Sequence, residues 1–267
     1  MEAIWENALA TAIEAAKEGA VHLKKYWGRL KSIRQKTSHS DLVTEADEAS
    51  ENAIKEVLLR NFPSDGILAE ESGGPRKDIP ERLWVIDPLD GTTNYTHQYP
   101  MFAISIALLW KGSPVVGVVY NPIMDELFSA RLNGGAFLNG QKINVSTVPD
   151  LEHSLLATGF SYDRRVNPEN NYAPFCLLTH LCHGVRRSGS ACIDLAYVAA
   201  GRLEGYWERG LQPWDVASGT LLVQEAGGHL TGYKGVPLDI FSGRVVATNK
   251  QIHAELCAAI ESSNNKE

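Results

Sequence analysis

Several features that would place this chain in a specialised class are scarce. Its 267 residues include four cysteines without a Cys-x-x-Cys pair, which disfavours a disulfide framework or a zinc site. No apolar run approaches the about 20 residues that a membrane-spanning helix needs. Basic residues are outnumbered, 25 Lys plus Arg against 32 Asp plus Glu, which disfavours nonspecific nucleic-acid binding. We therefore expect a cytoplasmic protein whose partners include neither membrane nor nucleic acid.

The chain also lacks the glycine motif of one large class of enzymes. No Gly-x-Gly-x-x-Gly follows a predicted strand, which argues against a dinucleotide-binding oxidoreductase. A hydrophobic content of 44% and a charged content of 21% are those of an ordinary globular protein. The length allows a substantial core in one large domain or two small ones.

The most informative stretch is WVIDPLDGTTN at residues 84–94. An apolar run long enough for one buried strand leads into Asp87 and Asp90, and Pro88 and Gly91 predict a bent backbone there. Two carboxylates on a bent loop suit Mg²⁺, which prefers oxygen ligands and needs few from protein. Gly91 and the threonines after it offer N–H and hydroxyl groups to a phosphate oxygen. The same residues also fit an ordinary Asp-rich turn.

Three further acidic motifs accompany this stretch: DLVTEAD at residues 41–47, AEESG at 69–73 and WDVASG at 214–219. Four motifs in this order, over about 5–256, resemble the inositol monophosphatase family of Mg²⁺-dependent, lithium-sensitive phosphomonoesterases. The resemblance implies a layered α-β-α-β-α fold and a homodimer.

Periodicity and turn residues predict a mixed α/β protein. Short strands at 66–69 and 83–86 each end in acidic residues, and 102–145 is typical of an antiparallel meander with a hairpin at Asn139-Gly140. We predict two packed subdomains, 1–146 with most metal ligands and 147–267 with the substrate-recognition residues and Asp215. Helices are predicted for the segment up to Gly28, from within 41–47 to 61, and over 173–183, 192–200 and 214–227, with further strands at 154–158, 205–208 and 245–248 and a loose tail at 262–267.

Four carboxylates are candidate metal ligands: Glu70, Asp87, Asp90 and Asp215. In one pocket of low dielectric they would repel one another, so they require bound cations or shifted pKa values. The resemblance implies two Mg²⁺ ions bridged by Asp87, with Glu70 and the carbonyl of Leu89 on the first and Asp90 and Asp215 on the second. It also implies a third, weaker ion at Glu70.

The expected nucleophile is a metal-activated water. Glu70 and Thr92 would orient and deprotonate it, with Asp47 hydrogen-bonded to Thr92 behind them. Asp47 equally fits a helix N-terminal carboxylate, and both roles can hold at once. Two roles stay open: Lys36 either senses phosphate charge or is an exposed loop residue, and Glu71 is either solvated or near the metals.

Substrate recognition is expected to come from the second half of the chain, with Asp90 sharing the task. Glu208, at the end of a strand, can accept hydrogen bonds from a polyol. The Gly189-Ser190-Ala191 turn can offer free N–H groups to hydroxyls or phosphate, although Ser188 or Ser190 can also act there as an ordinary helix N-cap. The full set of predicted substrate contacts is Asp90, Gly91, Thr92, Gly189, Ser190, Ala191, Glu208 and Asp215.

The predicted function is the Mg²⁺-dependent hydrolysis of a small polyol or sugar monophosphate, with myo-inositol monophosphate as the first candidate. Fructose-1,6-bisphosphatase and histidinol-phosphate phosphatase activities are alternatives on the same fold. A noncatalytic binding protein is an alternative of a different class, and it would be favoured by the loss of a metal carboxylate. All four carboxylates are present together with Thr92.

Overall fold

A computed structural model of the chain describes residues 2–36 and 42–264. Within these residues the chain forms seven α-helices and fourteen strands. The helices are α1 (Glu2–Tyr26), α2 (Glu45–Asn61), α3 (Thr92–Thr96), α4 (Tyr172–Leu178), α5 (Ala191–Ala199), α6 (Pro213–Glu225) and α7 (His253–Asn264). The strands are β1 (Ile33–Gln35), β2 (Leu42–Thr44), β3 (Gly66–Ala69), β4 (Arg82–Asp90), β5 (Ala103–Trp110), β6 (Ser113–Asn121), β7 (Glu126–Arg131), β8 (Gly135–Leu138), β9 (Gln141–Ile143), β10 (Leu155–Thr158), β11 (Gly184–Arg186), β12 (Gly205–Arg209), β13 (His229–Thr231) and β14 (Arg244–Thr248).

The larger sheet confirms the predicted meander. Its seven strands lie in the order β3-β4-β5-β6-β7-β8-β9, and every neighbouring pair except the parallel β3–β4 is antiparallel. Asn139 and Gly140 join β8 to β9 with φ angles of 49° and 78°, the left-handed geometry of a two-residue hairpin. A second sheet has the order β11-β10-β12-β14-β13, and β1 and β2 form a separate two-stranded ribbon.

The helices complete a stack of five layers. Helices α1 and α2 pack on one face of the seven-stranded sheet, with Trp84 and Ile86 of β4 pointing towards them. Leu83 and Val85 point to the opposite face and pack with α5 and α6, which also contact the five-stranded sheet. The far face of that second sheet is covered by α4 and α7. The α-β-α-β-α fold is therefore confirmed.

Helix α6 sits close to the larger sheet because small residues line the contact. A Cβ atom at Gly117 of β6 would lie 2.7 Å from the carbonyl oxygen of Ser218. The hydroxyl of Ser105 on β5 lies 2.7 Å from that of Ser218 and donates to the carbonyl of Trp214 at 2.9 Å. These contacts fix the first turn of α6 beside the ends of β4 and β5.

Three predicted boundaries differ from the structure. The predicted helix over 173–183 is wrong beyond Leu178, because the chain turns there to bring β11 alongside β10, and the N–H of His183 bonds to the carbonyl of Ser154. Strand β4 continues to Asp90 instead of ending at Ile86. The tail predicted at 262–267 is wrong for its first part, since α7 runs to Asn264, and 265–267 lie outside the described residues.

Candidate active site

Asp87 and Asp90 lie on the last residues of β4, within the sheet rather than on a loop beyond it. The pairing with β5 is irregular between them, where Pro88 and Leu89 interrupt the ladder. The N–H of Leu89 bonds back to Asp87 Oδ1 at 2.9 Å. Gly91 follows with φ of 94°, and a Cβ atom there would lie 3.0 Å from the carbonyl of Met101. The predicted bend is therefore present and is built on glycine because the space is closed.

Asp215 joins this pair from α6. It occupies the third position of the helix, and its Oδ2 accepts the N–H of Gln212, the N-cap residue, at 2.7 Å. One carboxylate oxygen from each of Asp87, Asp90 and Asp215 lies within 4.8 Å of the others. The structure thus brings three of the four predicted metal carboxylates together, from both halves of the chain.

Asp90 also ties the two halves through α5. Its Oδ2 accepts the hydroxyl of Ser190 and the N–H of Cys192, both at 2.8 Å. The turn predicted to offer N–H groups to substrate therefore also binds Asp90, through the hydroxyl of Ser190. Gly189, at φ of 90°, and Ala191 line the same cavity.

The electrostatics of the three carboxylates suit a cation. Burial, followed by the charges of neighbouring acids, raises the pKa of Asp87 and that of Asp215 well above the usual range. Burial also raises the pKa of Asp90, although hydrogen bonds from Cys192 and Ser190 oppose the shift. None of the three forms an ion pair with a Lys or Arg of residues 2–36 or 42–264. Such a donor set fits Mg²⁺, which supplies the missing positive charge.

Glu70 lines the same cavity but faces a cation of the chain itself. Its Oε1 accepts Lys36 Nζ at 2.8 Å, and Glu71 Oε1 accepts the same nitrogen at 2.6 Å. Burial alone would lower the pKa of Lys36, but the two ion pairs raise it above its usual value. Burial and the charge of Glu70 raise the pKa of Glu71 to about 7. Lys36 is therefore a cavity residue rather than a free loop lysine.

Thr92 and Asp47 form the predicted pair. The hydroxyl of Thr92 lies 3.0 Å from both Asp47 Oδ1 and the carbonyl oxygen of Leu89. Asp47 also completes a capping box with Thr44 at the start of α2, so the structure shows both the helix N-terminal position and the predicted hydrogen bond to Thr92. Burial raises its pKa to about 6. Asp41, at the start of the same motif, lies outside the described residues.

Glu208 lines the same cavity. Its Oε2 accepts the hydroxyl of Tyr206 at 2.6 Å, and a Cβ atom at Gly159 would lie 2.0 Å from the same oxygen. Burial raises the pKa of Glu208 to about 7. The cavity has a volume of about 390 Å³, at the small end of the usual range for ligand sites.

No role was predicted for Asp194, yet this buried carboxyl lines the cavity. Burial raises its pKa well above the usual range. Its position inside the predicted helix carries no local signal, because an acid near a helix N-terminus is ordinary. Arg76 and Arg187 also line the cavity and were likewise missed.

Comparison with known proteins decides the family. The model of the inositol monophosphatase family matches residues 4–265. The chain belongs to the inositol monophosphatase family. It is 51% identical over 252 residues to an inositol-1-monophosphatase of Synechocystis, covering 94% of this chain and 88% of that protein. Members of this family generally use Mg²⁺.

Other members carry the same fold under different names. A solved structure of an inositol monophosphatase from Anabaena (Nostoc) matches with a TM-score of 0.89 and 51% identity, over 96% of each chain. The protein named Nus factor SuhB of Escherichia coli is 41% identical over 246 residues, which is 91% of this chain and 92% of its own length. Across the described part of the present chain, no helix is long and apolar enough to cross a membrane.

Proposed function

We propose that this inositol monophosphatase family member hydrolyses a small polyol or sugar monophosphate, with myo-inositol monophosphate as its first substrate. One observation supports the proposal: the carboxylates of Asp87, Asp90 and Asp215, which lie close together, line the same cavity as Glu208. The acidic side suits a metal-bound phosphate, and the Glu208 side suits hydroxyl groups. A phosphorylated polyol has both parts.

The residues that would hold Mg²⁺ are Glu70, Asp87, the carbonyl of Leu89, Asp90 and Asp215, and we propose two to three ions. When bound, Mg²⁺ offsets the charge of the carboxylates and the phosphate and makes water a stronger acid. Without it, three mutually repelling carboxylates would also repel the phosphate.

The chain's own groups would orient the attacking water and move its proton. Thr92 is held by Asp47 and Leu89, so the free lone pairs of its hydroxyl can accept a hydrogen bond from water. Asp47, with its pKa raised to about 6, is positioned to stabilise a proton passed through Thr92. Glu70 is the second acceptor that we assign to this water.

On the leaving-group side, Glu208 would accept hydrogen bonds from polyol hydroxyls. The remaining predicted contacts line the same cavity: Gly91, Thr92, Gly189, Ser190 and Ala191. A ring that donates to Glu208 places its phosphate towards the carboxylate side. Orientation of this kind converts binding of the remote hydroxyls into a faster reaction at phosphorus.

A phosphate-release screen with Mg²⁺ tests the proposal. The substrates are myo-inositol monophosphates, fructose 1,6-bisphosphate, histidinol phosphate and 3′-phosphoadenosine compounds, and each is assayed again with excess chelator and with Li⁺. We expect inositol monophosphate to be the best substrate, no turnover in chelator, and inhibition by Li⁺. If fructose 1,6-bisphosphate or histidinol phosphate is the best substrate, the protein has one of the alternative phosphatase activities on the same fold. The absence of release from every phosphate ester would favour a noncatalytic binding protein.

We also propose that the protein is a cytoplasmic homodimer, as the family resemblance implies. Light scattering of the purified chain should give twice its monomer mass of 29.3 kDa. A monomer at micromolar concentration would contradict this.

A further inference from the structure

A single arginine joins the two halves of the proposed metal site. Arg76 follows the Glu70-Glu71 turn, and this turn is closed at its base by two hydrogen bonds between Ala69 and Gly73, at 3.0 and 2.9 Å. Gly74 then passes so close to β3 that a Cβ atom there would lie 2.2 Å from the carbonyl of Ile67. The segment leading to Arg76 is therefore fixed relative to Glu70.

From this position the guanidinium reaches the start of α6. Nη1 and Nη2 of Arg76 both donate to Gln212 Oε1 at 2.9 Å. The Cζ atom lies 4.8 Å from the ring centre of Trp214, in a cation–π contact. A planar, forked cation is suited to both contacts at once, whereas the point charge of a lysine is not.

Gln212 is also the residue that holds Asp215. As the N-cap of α6, it accepts the N–H of Asp215 on its backbone carbonyl at 3.1 Å and donates its own N–H to Asp215 Oδ2 at 2.7 Å. Arg76 thus binds the residue that orients this carboxylate. The chain of contacts runs from the Glu70 turn, through Arg76 and Gln212, to Asp215.

We infer that Arg76 is a positioning residue that holds Asp215 at the distance from Glu70 that Mg²⁺ binding requires. Carboxylates that repel one another tend to separate before the ion arrives. A link between the two elements limits that separation, so less binding free energy is spent on bringing them together. In the described residues Arg76 forms no ion pair with an acidic side chain, so the link is carried by its contacts with Gln212 and Trp214.

The competing explanation is that Arg76 is an ordinary surface residue. It is exposed, and exposed contacts often contribute little because water competes for them. The two explanations differ in what they expect of Mg²⁺ affinity. A surface contact would change at most the stability of the whole protein, whereas a positioning residue changes the affinity for Mg²⁺.

The test measures Mg²⁺ binding by calorimetry on protein stripped with chelator. We expect Arg76→Ala to weaken binding by about tenfold, the lower end for residues that orient metal ligands from behind. Gln212→Leu should weaken it similarly, and adding Arg76→Ala to Gln212→Leu should have little further effect, because both changes break one link. Arg76→Lys should recover part of the affinity. The matched control is Lys77→Ala, which removes the neighbouring exposed cation and should leave Mg²⁺ affinity unchanged.

Three results would overturn the inference: unchanged Mg²⁺ affinity in Arg76→Ala, an equal loss in Lys77→Ala, or additive losses in the double variant. Thermal unfolding in chelator distinguishes a general loss of stability, which would lower Tm without changing Mg²⁺ affinity. The inference rests on the proposed Mg²⁺ site but not on turnover. Failure of the wild-type protein to bind Mg²⁺ would reject that site itself, whereas wild-type binding that Arg76→Ala leaves intact would reject only the role of Arg76.

Discussion

Two acidic regions of the molecule differ in whether a basic side chain pairs with their carboxylates. Asp163, beside the cavity, accepts both Nη atoms of Arg209 at 3.0 Å, together with the side chains of Ser161 and Asn167. These donors, Arg209 first, hold the pKa of Asp163 well below its usual range. Asp87, Asp90 and Asp215 receive hydrogen bonds but no cation from the described chain, and their pKa values are raised.

The difference separates a charge that stabilises the fold from charges that we propose bind metal. Asp163 stabilises the folded chain by its ionised form, since its partners are part of that chain. The three site carboxylates destabilise the metal-free fold when ionised, and a Mg²⁺ ion would reverse the sign of their contribution. When a fold brings acidic side chains together without a basic partner, the cluster is therefore a candidate functional site.

The largest expected effect comes from Asp215→Asn, which removes one charge of the uncompensated group. Phosphate release should fall by at least ~10², the scale of losing one preorganised transition-state contact. In chelator the variant should be no less stable than the wild type, because like-charge repulsion is relieved, and Mg²⁺ should raise its Tm less. Activity assays and thermal unfolding check these outcomes. Near-normal turnover with an intact Mg²⁺ effect would remove Asp215 from the site.

A smaller effect is expected from Glu208→Gln, which changes the substrate wall and leaves the metal carboxylates unchanged. A hydrogen bond to a charged group is worth roughly 1.5–3 kcal/mol, so kcat/KM for a polyol phosphate should fall about ten- to a hundredfold. A phosphate ester without hydroxyls should be spared. Steady-state kinetics with both substrates distinguish the cases, and equal losses would place Glu208 in the chemistry or in the fold.

Asp163→Asn tests the compensated acid and should lower the free energy of unfolding by about 1 kcal/mol, as expected for a partly exposed ion pair. The loss should be the same with and without Mg²⁺, because Asp163 does not contact the metal carboxylates. Urea unfolding in both conditions measures it. A loss that appears only with Mg²⁺ would show that Asp163 belongs functionally to the site.

The smallest expected effect is the pH dependence of the stability of the metal-free protein. Burial raises the pKa of Asp47 to about 6 and those of Glu71 and Glu208 to about 7. The folded state then binds more protons than the unfolded state between about pH 4 and pH 7, so the stability of metal-free protein should fall as pH rises through this window. Burial and His229 lower the pKa of His253 to about 4, so this residue makes stability rise with pH in the same window. It is a single group, whereas three carboxyl groups act in the other direction.

Because the pKa of Asp163 is lowered in the folded state, its contribution to stability has the opposite pH dependence. Its ion pair stabilises the fold at neutral pH and is lost as pH falls below about 4. Urea unfolding in chelator from pH 4 to pH 8 should therefore show greatest stability near the acidic end of the range. Saturating Mg²⁺ should flatten the decline towards pH 8. A stability that rises steadily to pH 8 in chelator would contradict the repulsion between the site carboxylates.

The sequence by itself determined the local elements and the chemistry of the main motif. The apolar run of β4 and the Asn139-Gly140 hairpin depend on neighbouring residues only, so the strand and the hairpin were predicted, although the strand runs further than expected. The bend at Gly91 was predicted for the same reason. The three-residue strands β1, β2 and β13 were missed because their pairing depends on distant partners more than on their own residues. Helix α4 was predicted too long because pairing of β11 with β10 ends it.

Tertiary structure alone decided which distant residues meet. Asp215 reaches Asp87 because glycine and serine let α6 approach the seven-stranded sheet, and no local pattern encodes that distance. The attachment of Asp90 to the N-terminus of α5, and the pairing of Lys36 with Glu70, are likewise long-range contacts. The carboxylates could be named from the sequence because the four motifs that contain them resemble those of the inositol monophosphatase family in identity and order. Only the packing of the layers could place them within 4.8 Å of one another.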